Sequence, residues 1–143
     1  ICSATSSQAP SPRRPSTLTR LQRLYLSRNT LSGSIPAAIK SLTSLRMLLI
    51  DYNGITGSLP ASIGALPSLV YLSGSKNKLT GAIPSAIGAL SRLTYLALDR
   101  NSLTGAFPSA LSKLSYLQTI SLYRNNITGS LPIGLSQLSY LFD

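Results

Sequence analysis

Apolar and polar positions recur along this chain with a fixed step of 24 residues. One apolar frame consists of Leu24, Leu48, Leu72, Leu96 and Ile120. A second frame consists of Leu31, Ile55, Leu79, Leu103 and Ile127, and a third of Leu42, Leu66, Leu90, Leu114 and Leu138. Self-similarity at a period of roughly 20–50 residues is the signature of a repeat architecture, so the sequence predicts five copies of one structural unit.

The polar positions keep the same step. Asparagines occur at this interval at Asn29, Asn53, Asn77, Asn101 and Asn125. Glycines follow at Gly33, Gly57, Gly81, Gly105 and Gly129, and prolines at Pro36, Pro60, Pro84, Pro108 and Pro132. An asparagine amide both donates and accepts, so this set is expected to form a ladder that satisfies backbone groups inside the stack.

Each unit is expected to contain one short strand and a short return. Apolar residues alternate in the segment 24–29, which indicates a strand with one buried face. Glycine and proline then favour turns over a long helix. The segment that begins at Pro36 allows a single helical or 3-10 turn, because proline suits a first helical position.

The repeat resembles the plant-type leucine-rich repeat, with the pattern L-x-x-L-x-x-L-x-L-x-x-N-x-L-x-G-x-I-P-x-x-I-G-x-L. Residues 66–90 match it almost throughout. The resemblance implies an α/β solenoid: a right-handed superhelix with one short parallel strand per repeat, 3-10 or short-helix returns and a curved, concave sheet. It also implies an extracellular or cell-surface glycoprotein that binds proteins, like receptor-like kinase and receptor-like protein ectodomains and polygalacturonase-inhibiting proteins.

Domain organisation follows from the extent of the repeat. Residues 18–143 are predicted to form a five-repeat domain, and residues 1–17, rich in proline, serine and arginine, a flexible lead-in. Members of the family usually have cysteine-paired caps, which this sequence does not show. We therefore expect a fragment of a longer chain, with Leu138, Leu141 and Phe142 exposed at an uncapped end. Whether a kinase, a membrane span or caps flank it is open.

One repeat departs from the apolar frame. Gly74 stands where the other copies have Leu26, Ile50, Leu98 and Leu122. A missing buried leucine usually costs a few kcal/mol if its space stays empty. The sequence therefore predicts a cavity and a weak point in the third repeat, which Gly74→Leu should repair.

The composition weighs against catalysis. Histidine and glutamate are absent, and the only carboxylate side chains are those of Asp51, Asp99 and Asp143. Hydrolytic chemistry usually needs a poised base or nucleophile. With Cys2 as the single thiol, neither a metal site nor a cofactor is expected. An inverting carboxylate pair made by Asp51 and Asp99 is a minor alternative, since two repeats separate them by about 9.6 Å.

The charge balance favours acidic partners. Thirteen lysines and arginines against three aspartates give a formal charge of +10. This suits an acidic protein or peptide, or an anionic polysaccharide, although the charges can equally serve solubility alone. Nucleic acid is a weaker alternative because no RNA-binding signature accompanies the charge.

Residues that vary between copies mark the expected site. In the family the outward-pointing strand residues bind ligands. The position before each asparagine holds Arg28, Tyr52, Lys76, Arg100 and Arg124. Other candidates on the same face are Arg23, Tyr25, Tyr71, Tyr95 and Tyr123. Tyrosine and arginine are enriched at binding hot spots, so we predict ligand recognition on the concave face. The aspartates at positions 51 and 99 are expected to offset part of the basic charge.

Two further features lie outside that face. The outer return carries Ser32, Thr56, Thr80, Thr104 and Thr128, a flat row that would suit an ice-binding or purely structural repeat protein. Asn126-Ile127-Thr128 is a glycosylation sequon, so Asn126 is a candidate attachment site if the chain is secreted.

Overall fold

The computed structural model describes residues 18–140. Five short strands form one parallel sheet: β1 (Arg23–Tyr25), β3 (Met47–Leu49), β5 (Tyr71–Ser73), β7 (Tyr95–Ala97) and β9 (Thr119–Ser121). They lie side by side in the order β1-β3-β5-β7-β9. Each residue of a strand pairs with the residue 24 positions further along the chain, as Leu48 pairs with Leu72. One repeat therefore makes one coil of the solenoid.

Four further strands of two or three residues lie on the return path of the coils. They are β2 (Ser32–Ser34), β4 (Gly54–Thr56), β6 (Thr80–Gly81) and β8 (Ser102–Leu103), and they form two parallel pairs, β2-β4 and β6-β8. Their register differs from that of the main sheet, because Ser32 pairs with Gly54, 22 residues ahead. Neighbouring coils are therefore offset by two residues on this side.

Each return ends in a 3-10 helix. These helices are Ala37–Ser41, Ala61–Ala65, Ser85–Ala89, Ser109–Lys113 and Ile133–Gln137. A proline in extended backbone precedes each one, and the Pro36 carbonyl accepts the N–H of Ile39 at 3.0 Å. Every helix among residues 18–140 is of this 3-10 type. The predicted fold class, a solenoid of parallel strands with 3-10 returns, is confirmed.

The core consists of equivalent leucines stacked from coil to coil. The central residues of β3, β5 and β7 are buried, as are leucines that follow the 3-10 helices, such as Leu66, Leu69, Leu90 and Leu93. The first coil is less well covered, because its apolar side chains border a hollow of about 400 Å³. Most of the core thus lies between the second and fifth coils.

Two expectations about packing are wrong. Leu138 is only 7% exposed and belongs to the core, whereas Leu141 and Phe142 lie outside the described residues, as does the segment 1–17. The cavity expected at Gly74 is also wrong. A Cβ there would lie 3.3 Å from Leu98 Cδ2 and 3.5 Å from Ile50 Cγ1. Side chains of the two neighbouring coils have taken the space that a leucine would fill.

Candidate functional site

The asparagine ladder joins the coils. Asn53 donates through Nδ2 to the carbonyls of Leu26 (2.9 Å) and Ile50 (3.1 Å), in two successive coils. Its Oδ1 accepts the Leu31 N–H at 3.0 Å. The equivalent cross-coil bonds recur at Asn77, Asn101 and Asn125. Because backbone groups occupy the side-chain amides, these residues hold the strands in place.

The residue before each asparagine has a left-handed backbone. We call this set the basic row; its φ angles are 59° at Arg28, 54° at Tyr52, 56° at Lys76, 53° at Arg100 and 54° at Arg124. Few residues other than glycine adopt positive φ. Their N–H groups still continue the parallel ladder, as when Lys76 N donates to the Asp99 carbonyl at 2.9 Å. The row is therefore fixed in backbone and variable in side chain.

Tyr52 lies between two cations of the basic row. The Arg28 guanidinium carbon is 4.8 Å from the centre of the Tyr52 ring, and the Lys76 ammonium nitrogen is 4.0 Å from it. Lys76 also donates a hydrogen bond to the Tyr52 hydroxyl. That bond and the positive charge of Lys76 lower the pKa of Tyr52. The aromatic ring separates two like charges that the sequence would place in direct repulsion.

A second tyrosine, Tyr123, contacts Arg100. The guanidinium carbon of Arg100 lies 5.5 Å from the Tyr123 ring centre, and Arg100 Nε donates to the Tyr123 hydroxyl at 3.2 Å. This hydrogen bond raises the pKa of Arg100. Tyr123 is 54% exposed, so the pair remains accessible to a partner. Three cations of the basic row, Arg28, Lys76 and Arg100, thus lie against aromatic rings.

Serines surround the two aspartates of the open face, the side of the main sheet that points away from the core. Asp51 accepts hydrogen bonds from the hydroxyls of Ser27 (3.0 Å) and Ser73, and from the N–H of Ser75 at 2.9 Å. Asp99 accepts from the hydroxyls of Ser75 (2.5 Å) and Ser121 (3.2 Å). Ser75 therefore connects both carboxylates.

This network changes the expected role of the aspartates. Within residues 18–140 the one ion pair joins Arg100 Nε and Asp99 Oδ2 at 3.9 Å, so the predicted compensation of basic charge holds only for that weak contact. Asp99 is 7% exposed, and both carboxylates accept hydrogen bonds from serines. Ser73, Ser75 and Ser121 are not among the site residues that the sequence predicts. The sequence feature that could have indicated these serines is the presence of small hydroxyl residues at outward positions next to each aspartate.

The start of the strands forms another group of candidates. Tyr71 and Tyr95 pair in register and stack with their ring centres 4.0 Å apart. Partial burial raises the pKa of Tyr71 to about 12, and the neighbouring Tyr95 and the Asp51 carboxylate add to the rise. Tyr25, 56% exposed, donates to the Met47 sulfur at 3.4 Å, and Arg23 pairs with Met47. These residues lie on the open face, across the aspartate network from the basic row.

The threonines of the return path are exposed, but their row is staggered. The residue directly paired with Thr56 is Ser34, and Thr80 is bridged to Ser58 and paired with Ser102. Equivalent threonines are thus displaced by two residues, about 6.6 Å along the strand. The threonines therefore form an oblique row and not one that runs straight across the strands. Asn126 is exposed on the neighbouring turn, and its backbone N–H donates to Leu103 at 2.8 Å.

The stacked strands, the asparagine ladder and the 3-10 returns are what a leucine-rich repeat requires. The family model described as leucine rich repeat matches residues 12–55 and 91–142, more than half of the chain. The chain belongs to the leucine-rich repeat family. No curated protein sequence matches it.

Solved structures of plant receptors share the leucine-rich repeat fold of this chain. A TDR receptor is 35% identical with a TM-score of 0.85, over 87% of this chain and 22% of the receptor. The same identity and TM-score, over 87% of this chain and 21% of the other, are found with the Arabidopsis receptor kinase HAESA in its complex with the peptide hormone IDA and the co-receptor SERK1. The BIR3–SERK2 complex from Arabidopsis thaliana gives 40% identity and a TM-score of 0.76, over 80% of this chain and 61% of the other.

These matches confirm the predicted resemblance to plant receptor ectodomains. The chain spans only about a fifth of the length of the first two structures. Among the described residues no helix has the length and apolar character to cross a membrane. Within the same residues there is also no group of three or more side chains suited to holding a metal ion.

Proposed function

We propose that this chain is a non-catalytic recognition module that binds a peptide or protein partner on the open face of its main sheet. The observation that carries the proposal is the basic row with its tyrosines, in which a fixed backbone displays different, exposed or partly exposed side chains in each coil. Similar structures include HAESA in complex with a peptide hormone and PEPR1 with AtPEP1, which supports a peptide-sized partner.

The partner is proposed to be polar or acidic. Arg28, Lys76 and Arg100 lie against aromatic rings, and only Arg100 approaches a carboxylate among residues 18–140. An acidic side chain brought to the row would gain charge-assisted hydrogen bonds without first breaking strong ion pairs. An anionic polysaccharide shares this chemistry and is one outcome of the test. The setting is proposed to be the cell surface or extracellular space, with the exposed Asn126 as a glycosylation site.

The test is a selection of peptides from a random display library on the wild-type domain. Peptides so recovered should bind the Lys76→Glu/Arg100→Glu variant at least tenfold more weakly, and high salt should weaken their binding to the wild type. The matched control is Lys40→Glu/Lys113→Glu, which changes the net charge equally at two exposed residues of the 3-10 helices.

Three results would overturn the proposal. Either no peptide is enriched, or the recovered peptides bind both double variants as they bind the wild type, or the control variant loses as much affinity as the open-face variant. The last outcome would mean that net charge alone attracts the peptides. Binding of polygalacturonate and not of peptides would replace the peptide partner with a polysaccharide.

Ice binding is the second candidate, because Thr56, Thr80, Thr104 and Thr128 are all exposed. The two-residue stagger of the return strands weakens it, since a regular ice surface favours a flat and evenly spaced array. Thermal hysteresis that survives Lys76→Glu/Arg100→Glu but disappears in Thr80→Leu/Thr104→Leu would establish it. Absence of hysteresis in the wild type would eliminate it.

A further inference from the structure

A small pocket lies where strands β1, β3 and β5 begin. It has a volume of about 190 Å³ and is lined by Arg23, Arg46, Met47, Val70 and Tyr71. Pockets that enclose a whole drug-sized ligand usually measure about 300–1,000 Å³. This one has room for a single side chain or terminal group, so it fits a subsite within a larger contact surface.

The backbone around the pocket is fixed by hydrogen bonds. Arg23, Met47 and Tyr71 lie side by side in the parallel register. The Arg46 carbonyl accepts the N–H groups of both Val70 (2.9 Å) and Tyr71 (3.0 Å), and the Arg46 N–H donates to the Gln22 carbonyl at 2.8 Å. The pocket is therefore preorganised on strand termini, which reduces the conformational cost of binding.

Two arginines, Arg23 and Arg46, line the pocket without a carboxylate partner. In the part of the chain that the structure describes, no aspartate lies within 4.0 Å of Arg23 or Arg46. Arg23 is the first residue of β1, and Arg46 directly precedes β3, the neighbouring strand. The two side chains carry the same charge, so an anion that reaches both would be stabilised by both.

The other walls of the pocket are apolar or aromatic. Met47 and Val70 contribute apolar surface, and Tyr71 is held by its stack on Tyr95. The Met47 sulfur is positioned from the other side by the Tyr25 hydroxyl at 3.4 Å. The pocket thus combines a cationic border with an apolar floor, which suits an anion attached to an aromatic or aliphatic group.

We propose that this pocket binds an oxyanion carried next to an apolar group of the partner. The guanidinium forks of Arg23 and Arg46 hold the oxyanion, and the carbon skeleton packs on Met47 and Tyr71. A carboxylate and a sulfate or phosphate monoester share the acceptor pattern that arginine recognises in bidentate fashion. The inference deepens the proposed function, on which it rests for the source of the group, a peptide or protein partner.

The experiment uses the single methionine of the chain as its reporter. Because Met47 lines the pocket, a domain labelled with ¹³C-methyl methionine gives one methyl signal at the site. The probes are phenylacetate, phenyl sulfate, phenyl phosphate and the neutral phenylacetamide. At least one anion should shift the signal in a saturable way, and phenylacetamide should bind at least tenfold more weakly. The anion that binds most tightly distinguishes a carboxylate source from a sulfate or phosphate source.

Variants locate the binding. Arg23→Gln and Arg46→Gln should each weaken the best anion at least fivefold, whereas Arg92→Gln, an exposed arginine outside the pocket, should leave it unchanged. An unchanged circular dichroism spectrum shows that each variant is folded. Any one of three results would overturn the inference. Either phenylacetamide binds as tightly as the best anion, or both pocket variants bind that anion as tightly as the wild type does, or no anion gives a saturable shift.

The outcome is independent of the test of the proposed function. The small probes need no partner, so the pocket can bind an anion even if the peptide selection fails. Conversely, selected peptides that depend on Lys76 and Arg100 but tolerate both Arg23→Gln and Arg46→Gln would uphold the proposed function and remove the pocket from it.

Discussion

The phenol rings of Tyr71 and Tyr95 lie face to face, with their centres 4.0 Å apart and their planes 4° from parallel. The contact follows from the repeat itself, because residues 24 positions apart pair in the main sheet. Partial burial under this stack raises the pKa of Tyr71 to about 12, whereas the hydrogen bond from Lys76 lowers the pKa of the exposed Tyr52.

We expect these two tyrosines to ionise at opposite ends of the tyrosine titration. In a pH titration followed by phenolate absorbance, the component with the lowest midpoint pH should be missing from Tyr52→Phe. The component with the highest midpoint pH should be missing from Tyr71→Phe. The stability contributed by Tyr71 is present below its ordinary pKa of 10.0 and lost as the pH rises towards 12. Loss of absorbance at the same pH in both variants would contradict the assignment.

A second prediction concerns the asparagine ladder. Asn77→Ala leaves the Ile55 N–H without its partner and removes one of the two amides that donate to the Ile50 carbonyl, which keeps its bond from Asn53. An unsatisfied buried group costs about 1–3 kcal/mol, so we expect urea unfolding to show a loss of about 2–3 kcal/mol.

Asn29→Ala is the matched control for that variant. Asn29 donates only to carbonyls of its own coil, and one of them, that of Leu26, also accepts from Asn53. The loss should be about 1 kcal/mol or less. Equal losses in the two variants would show that the cross-coil bonds add nothing.

A third prediction reverses an expectation based on sequence. Gly74→Leu must displace Leu98 and Ile50, whose side chains already lie 3.3–3.6 Å from the position of a new Cβ. Overpacking of this kind usually costs about 1–3 kcal/mol, so the melting temperature should fall. Gly74→Ala, which adds only the Cβ, should fall less. A melting temperature above that of the wild type would restore the idea of an unfilled cavity.

A fourth prediction tests the serine–aspartate network. Ser75→Ala removes the hydroxyl that donates to the buried Asp99 and keeps the backbone bond to Asp51. Hydrogen bonds to charged groups contribute about 1.5–3 kcal/mol, so we expect a loss in this range by chemical denaturation. Ser27→Ala removes one of three bonds to the less buried Asp51 and should cost less. The reverse order would rule out Ser75 as the central link.

The 24-residue period was sufficient to predict the strands, the returns and the cross-coil asparagines, because those features depend on residue types that recur at fixed positions. The period could not predict contacts between residues that do not recur. The period cannot show that Leu98 and Ile50 fill the space beside Gly74, or that Tyr52 accepts a hydrogen bond from Lys76. It also assumes one spacing for the whole coil, whereas the return strands pair with an offset of 22 residues.

The candidate site was predicted in part for the same reason. Columns of outward-pointing residues follow from strand alternation, so Arg23, Tyr71 and Lys76 could be placed on one face. Whether an aspartate neutralises a cation or bonds to serine depends on side-chain geometry, and here Asp51 bonds to three serine groups. Arg46 was missed because it precedes its strand, in a position that the alternation does not assign to either face.

The left-handed backbone at the basic row restricts how this surface can be changed. Branching at Cβ is strongly disfavoured at positive φ, so valine, isoleucine and threonine are poor substitutes at Arg28, Tyr52, Lys76, Arg100 or Arg124. Asparagine, aspartate and glycine are the most compatible alternatives. A library meant to retarget the domain should therefore draw on unbranched, polar and aromatic side chains at these five codons, and reserve β-branched diversity for the strand residues before them.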